Sequence, residues 1–65
     1  MIRPLNLLIS DLWHISLTAL SSKPHSRYDR MLYIKNSLIK HYPNNIEGLT
    51  QKQIWHEIEK ELENV

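Results

Sequence analysis

Residues 50–62, with the sequence TQKQIWHEIEKEL, contain the clearest helix pattern of the chain. Thr50 and Gln53 have the spacing of a capping box, in which each side chain accepts a hydrogen bond from the other residue's backbone N–H at the start of a helix. The apolar residues that follow recur at helical spacing: Ile54, Trp55, Ile58, Leu62 and Val65. The pattern predicts an amphipathic helix over residues 50–64, with Trp55 inside its buried stripe.

The segment before this helix predicts a turn and, further back, a second helix. Residues 42–48 contain a proline, two asparagines and the only glycine of the chain, a combination typical of turns. A helix over residues 27–41 precedes them, with Ser26 as its N-cap and Asp29 placed favourably near the positive helix start. Its apolar face consists of Tyr28, Met31, Ile34, Leu38, Ile39 and Tyr42.

Lys35 falls near the centre of that apolar face. An unpaired ammonium group is costly to bury, so its position needs a physical explanation. The favoured explanation is that its aliphatic stem covers apolar surface while the charged end reaches water. The alternatives are an ion pair with a glutamate of the third helix, or contact with an acidic partner.

The first helix is predicted over residues 6–20, with Asn6 as its N-cap. Its apolar residues cover an arc of about 200°, which is wider than one small core needs. Two explanations remain open. The helix is either central and contacts both neighbours, or it docks a partner along one side.

Together these patterns predict one domain over residues 1–65, an all-α three-helix bundle of helix-turn-helix-like shape. A chain of this length buries only about 60% of its unfolded surface, so its core is small. Cysteine is absent, which excludes stabilisation by disulfides. The predicted core consists of Leu12, Ile15, Leu20, Met31, Ile34, Leu38, Ile54, Trp55, Ile58 and Leu62.

The charges are balanced overall but unevenly spread along the chain. There are 8 Lys and Arg residues against 7 Asp and Glu residues, without the basic excess typical of nucleic-acid binders. Residues 23–41 hold five basic residues against one acidic residue, a balance of +4, and residues 47–65 hold two against five, a balance of −3. The simplest use of this asymmetry is attraction between the second and third helices.

The sequence indicates neither membrane insertion nor secretion. Its apolar runs, such as Leu7 to Ile9, are far shorter than the roughly 20 residues that span a bilayer. Asp11 and His14 interrupt the apolar part of the N-terminal region, which argues against a signal peptide. We expect an intracellular protein that is either complete at this length or the N-terminal piece of a longer one.

No catalytic or cofactor-binding pattern is present. The four histidines are too widely spaced for two of them to share one helix face as metal ligands. Only one glycine occurs, so a glycine-rich phosphate loop is excluded. A chain of this size also lacks the material to enclose an ordinary substrate pocket. We therefore expect no enzyme, cofactor, metal or small-molecule substrate, and predict a protein that binds another macromolecule.

The favoured partner is a protein, either another subunit or a second copy of the chain, that contacts Leu8, Trp13 and Leu17 of the first helix. The alternative is a small helix-turn-helix DNA-binding regulator that uses the amide and ammonium groups at the start of the third helix, namely Gln51, Lys52 and Gln53. The acidic residues further along that helix make nucleic acid the less favoured partner, because phosphate repels them. A third hypothesis is a small viral or plasmid protein that inhibits a host protein by binding it.

Three short motifs resemble those of a known family. They are residues 17–24, LTALSSKP; residues 31–34, MLYI; and the Ile54-Trp55 pair with Ile58. In these features, which span residues 12–62, the chain resembles the MRG-binding-protein family of small subunits of nucleosome acetyltransferase complexes. The resemblance implies a chromatin-associated subunit in the nucleus, whereas without it a cytoplasmic location is expected. It also implies that the family's partner-binding stretch lies beyond this helical region.

Overall fold

The structure, a computed structural model, describes residues 4–20 and 26–63 as a bundle of three helices. They are α1 (Leu5–Ala19), α2 (Arg27–His41) and α3 (Gln51–Leu62), with a short 3-10 turn at Pro43–Ile46 before α3. Each helix packs against the other two, and no strand occurs in the described ranges. This confirms the all-α three-helix bundle. The predicted bounds of the second helix match α2, whereas residue 64, the predicted end of the third, lies outside the described residues.

The starts of α2 and α3 are fixed by the two predicted caps. Ser26 Oγ accepts a hydrogen bond from the backbone N–H of Asp29 at 3.3 Å, and Asp29 Oδ2 accepts one from the N–H of Ser26 at 3.0 Å. At α3, the Thr50 N–H donates to Gln53 Oε1 at 2.9 Å and the Gln53 N–H donates to Thr50 Oγ1 at 3.1 Å. Both capping boxes therefore satisfy backbone donors that would otherwise lack partners.

The start of α1 differs from the prediction. Its N-cap is Pro4, and no side chain caps it. The Pro4 carbonyl accepts hydrogen bonds from the N–H groups of Leu7 and Leu8 at 3.1 Å each. The prediction that Asn6 caps the helix was wrong, because Asn6 lies inside the first turn. Proline suits this position since its fixed φ is compatible with helix entry and it has no N–H to satisfy.

The connection between α2 and α3 contributes to the core. Ile46, in the 3-10 turn, is buried, and its carbonyl accepts a hydrogen bond from the Leu49 N–H at 3.0 Å. Gly48 adopts φ = +84°, a left-handed conformation that residues with a Cβ rarely tolerate. The connection spans residues 42–50, so it is longer than the turn of about 3–4 residues in a DNA-binding helix-turn-helix.

Most of the predicted core is confirmed, and three further residues join it. The buried apolar residues are Leu8, Ile9, Leu12, Met31, Ile34, Leu38, Ile46, Ile54, Ile58 and Leu62. Leu8, Ile9 and Ile46 were not predicted. The first two are buried because α1 directs its Leu8, Leu12 and Ser16 side inward.

Three predicted core positions were wrong or only partly right. Ile15 is 49% exposed, because it lies to one side of the inward stripe that ends in Ser16. Leu20 is only half-buried. Trp55 is also half-buried, packing on the rim of the core with its ring centroid 5.4 Å from that of Tyr28.

Lys35 is half-buried on α2. Within residues 4–20 and 26–63 it forms no ion pair with a glutamate. The proposed ion pair with α3 is therefore not formed, and partial burial agrees with an aliphatic stem lying along apolar surface.

Candidate protein-binding surface

Several large apolar side chains of α1 are left uncovered by the bundle. These side chains remain in contact with solvent: Leu7 is 41% exposed, Ile15 49% and Leu17 52%. Asp11 is the only Asp, Glu, Lys or Arg residue of the helix. The exposed residues between positions 7 and 18 are called the outward face of α1: Leu7, His14, Ile15, Leu17 and Thr18.

The three residues predicted to contact a partner have different surroundings. Leu17 is exposed on the outward face of α1, as a binding role requires. Trp13 is half-buried and packs against the core. Leu8 is only 5% exposed and belongs to the core, so we withdraw it from the predicted surface. Its position one turn before Leu12 explains its burial, since residues four apart share one side of a helix.

One turn before Leu17, at Trp13, an arginine of α2 is held against α1. Arg30 Nε donates a hydrogen bond to Ser16 Oγ at 2.8 Å, and Arg30 Nη2 donates one to the Trp13 carbonyl at 2.6 Å. Ser16 Oγ in turn donates to the same carbonyl at 2.6 Å. The Arg30 guanidinium carbon lies 3.4 Å from the centroid of the Trp13 ring, a cation–π arrangement. These contacts are called the Arg30 brace below.

The brace explains why a serine occupies the centre of the inward side of α1. Ser16 is fully buried, and its hydroxyl is satisfied by the Trp13 carbonyl and Arg30. Burial lowers the pKa of Arg30 from its usual value. Arginine nevertheless keeps its proton in proteins, so a half-buried positive charge persists beside Trp13. The sequence analysis predicted a role for neither Ser16 nor Arg30. The four-residue spacing of Leu8, Leu12 and Ser16 along one side of the helix would have indicated that Ser16 is buried.

The predicted DNA-contacting residues are all exposed at the start of α3. Gln51 and Lys52 are accessible there, but Gln53 Oε1 already accepts the Thr50 N–H. A glutamine needs both its carbonyl oxygen and its NH₂ group to recognise adenine in two hydrogen bonds. Gln53 would therefore have to abandon its capping role, which weakens this set of residues as a base-reading surface.

The outward side of α3 carries charges of both signs. Lys52, His56 and Lys60 follow one another at four-residue intervals and are exposed. Lys60 Nζ lies 2.7 Å from Glu57 Oε2, an ion pair within the helix. Glu59, also exposed, lies beside the same stripe. This side of the molecule is therefore well solvated but has no continuous basic surface for phosphate.

Comparisons of the chain with family models, curated proteins and solved structures give no match. Within the described residues, no three His, Cys, Asp or Glu side chains lie together as a metal ion would require. No helix in that part of the chain has the length and apolar character to cross a membrane. The function is therefore inferred from the exposed residues of α1, α2 and α3.

Proposed function

We propose that this protein is an interaction module of a larger assembly and that it binds another protein subunit through the outward face of α1. The observation that carries this proposal is the exposure of Leu7, Ile15 and Leu17 on a helix with a single charged residue. Large apolar side chains grouped on one exposed helix are a candidate binding surface. Depletion of charge is typical of the central part of protein–protein interfaces.

The resemblance to MRG-binding proteins supports a nucleosome acetyltransferase complex as that assembly, and with it a nuclear location. In this chain Met31, Ile34, Ile54 and Ile58 are core residues, and Trp55 lies at the rim of the core. The motifs at residues 31–34 and 54–58 therefore act here through packing between α2 and α3, whereas residues 21–24 of the first motif lie outside the described residues. A common helical scaffold would follow from them. Because the family's partner-binding stretch lies beyond this helical region, the outward face of α1 would contact a different subunit of the same complex.

The test compares Leu17→Gln with Ile39→Gln as a matched control. Both residues are exposed and apolar, at 52% and 43%, but Ile39 lies on α2. Tagged variants are expressed in the native cells, and co-purifying proteins are quantified by mass spectrometry. We expect acetyltransferase-complex subunits to be lost with Leu17→Gln and retained with Ile39→Gln. Trp13 is unsuitable for this purpose because its substitution would also break the Arg30 brace.

Two results would count against the proposal. Recovery of the same proteins with both variants would show that the outward face of α1 does not bind the partner. Recovery of a single host protein, lost with Leu17→Gln, would favour the viral or plasmid inhibitor hypothesis over a chromatin subunit. In that case the outward face of α1 would keep its role, but the assembly and the nuclear location would be rejected.

A second candidate function, a DNA-binding regulator, is favoured by one observation. Gln51 and Lys52 are exposed at the first turn of α3, where a recognition helix would contact bases. Fluorescence anisotropy with a labelled duplex at low and high salt tests it. We expect weak binding that Lys52→Ala barely changes. Micromolar binding that is lost steeply with added salt, and weakened by Lys52→Ala, would promote this function over protein binding.

A further inference from the structure

We propose that Arg30, held by Ser16 and Trp13, binds a carboxylate on an acidic and partly apolar segment of the partner protein. The inference rests on the proposed function, because it assigns the chemistry of the partner that covers the neighbouring Leu17. Arg30 belongs to α2 and contacts α1, so both helices would form the recognition site.

The geometry of Arg30 suits a prearranged receptor. A guanidinium carries five N–H donors, and here Nε and Nη2 donate to Ser16 and Trp13. Both N–H groups of Nη1 therefore remain for another acceptor. Stacking on the Trp13 ring further restricts the guanidinium plane. A side chain that is already ordered loses less conformational entropy on binding, and the planar fork matches a carboxylate.

Within residues 4–20 and 26–63, Arg30 forms no salt bridge. All 7 Asp and Glu residues of the chain belong to the described ranges, and none of them forms a salt bridge with Arg30. The nearest acidic residue along the chain, Asp29, accepts the Ser26 N–H in the capping box instead. Residues 23–41 as a whole carry a balance of +4. A half-buried cation in such surroundings attracts a negative group strongly, since screening by water is reduced.

The neighbouring Leu17 favours an acidic protein segment over other anions and over a second copy of the chain. A nucleic acid could supply phosphate to Arg30 but has no apolar side chains to cover Leu17. A second copy could offer the glutamates of α3, but the exposed large apolar residues of the described chain lie on α1, on α2 and at Tyr42. An acidic α3 would therefore leave Leu17 uncovered, whereas a partner helix with leucine and glutamate side by side matches both features.

The experiment titrates the isotope-labelled full chain with two synthetic helical peptides. One has leucines at helical spacing flanked by glutamates, and in the other each glutamate is replaced by glutamine. The NMR signals of the Arg30 Nε–H and the Trp13 indole N–H report the site. We expect the glutamate peptide to shift both signals saturably and to bind about tenfold more tightly than the glutamine peptide, as hydrogen bonds to charged groups imply.

Three variants separate recognition by Arg30 from its structural role. Arg30→Lys keeps the charge but loses the Nε donor and the planar fork, so the preference for glutamate should largely disappear. Arg27→Lys, at an exposed position one turn earlier, should retain the preference for the glutamate peptide. Ser16→Ala keeps Arg30 but removes the acceptor for Nε, and the preference should fall several-fold while the helical circular-dichroism signal stays intact. Ser16→Ala carries the test if Arg30→Lys unfolds the chain.

Equal affinity for the two peptides, no shift at Arg30, or a preference that survives both Arg30→Lys and Ser16→Ala would overturn the inference. Duplex DNA that shifts the same two signals more strongly than either peptide would overturn it in favour of phosphate. The proposed function fails separately. If Leu17→Gln abolishes partner recovery but no preference for glutamate is found, the interaction surface stands and only the role of Arg30 is rejected.

Discussion

Helices α1 and α3 pack into the same core but relate to solvent in opposite ways. In α3 the buried residues Ile54, Ile58 and Leu62 form a narrow stripe at four-residue spacing, and no large apolar residue of the helix is exposed. Its remaining surface is rich in charge, and its start is fixed by the Thr50 capping box. A helix of this kind is stable and soluble with one side covered.

In α1 the buried stripe of Leu8, Ile9, Leu12 and Ser16 accounts for only part of the apolar residues. Leu17 and its neighbours on the outward face remain exposed, and no side chain caps the helix start. The helix is thus held mainly by packing and by the Arg30 brace. The difference is that the bundle covers the large apolar residues of α3, whereas it leaves Leu7, Ile15 and Leu17 of α1 exposed, and this is why the proposed binding surface is placed on α1.

The strongest test of this comparison is Ile58→Ala in α3. Ile58 is fully buried, so truncation should cost about 2–5 kcal/mol through lost apolar contacts and the cavity left behind. A loss of this size is a large part of the stability of a small domain. Thermal melts followed by circular dichroism should show the unfolding midpoint falling by more than about 10 °C. A melt unchanged from wild type would mean that α3 does not pack as described.

Removing the Arg30 brace should have the next largest effect. Arg30→Met keeps an aliphatic side chain on Trp13 but loses the charge-assisted hydrogen bonds to Ser16 and the Trp13 carbonyl. The expected cost is about 1.5–3 kcal/mol in the free energy of unfolding, measured by urea denaturation. Arg27→Met is the control, since Arg27 is exposed on the same helix. Equal effects of the two substitutions would show that the brace does not hold α1 to α2.

The helix starts provide a smaller, paired test. Thr50→Ala removes the side chain that accepts the Gln53 N–H and should destabilise the protein by about 1 kcal/mol. Asn6→Ala should not destabilise it, because Asn6 is exposed inside the first turn of α1 and alanine has the higher helix propensity. Urea denaturation of both variants measures the difference. A loss for Asn6→Ala as large as that for Thr50→Ala would restore Asn6 as a cap.

Sequence patterns predicted the features that depend on neighbours along the chain. The N-cap at Ser26, the capping box at Thr50 and the stripes of α2 and α3 are local, so spacing was enough to locate these two helices. The orientation of α1 was predicted less well, because its wide apolar arc allows several inward directions. Burial of Ser16 selects one of them, and that burial depends on Arg30, 14 residues away in the chain.

Core and surface residues whose surroundings depend on distant parts of the chain were also missed. Ile46 lies in a turn, where no periodic pattern marks a residue as buried. Leu17 could be placed at the edge of the apolar arc from spacing alone. The position of the positive charge near it could not be predicted from spacing. Arg30 contacts Trp13 only because α2 packs on one particular side of α1.

The smallest expected effect on stability is that of Leu17→Gln. Leu17 is 52% exposed, and leucine and glutamine have similar helix propensities, so the free energy of unfolding should change by less than about 0.5 kcal/mol. Urea denaturation at two protein concentrations measures it. A loss above about 1 kcal/mol that depends on protein concentration would instead show that Leu17 stabilises a dimer of the chain. Unchanged stability combined with loss of partner proteins would show that this leucine contributes to binding while contributing almost nothing to folding. The outward face of α1 would then have a role outside the monomer.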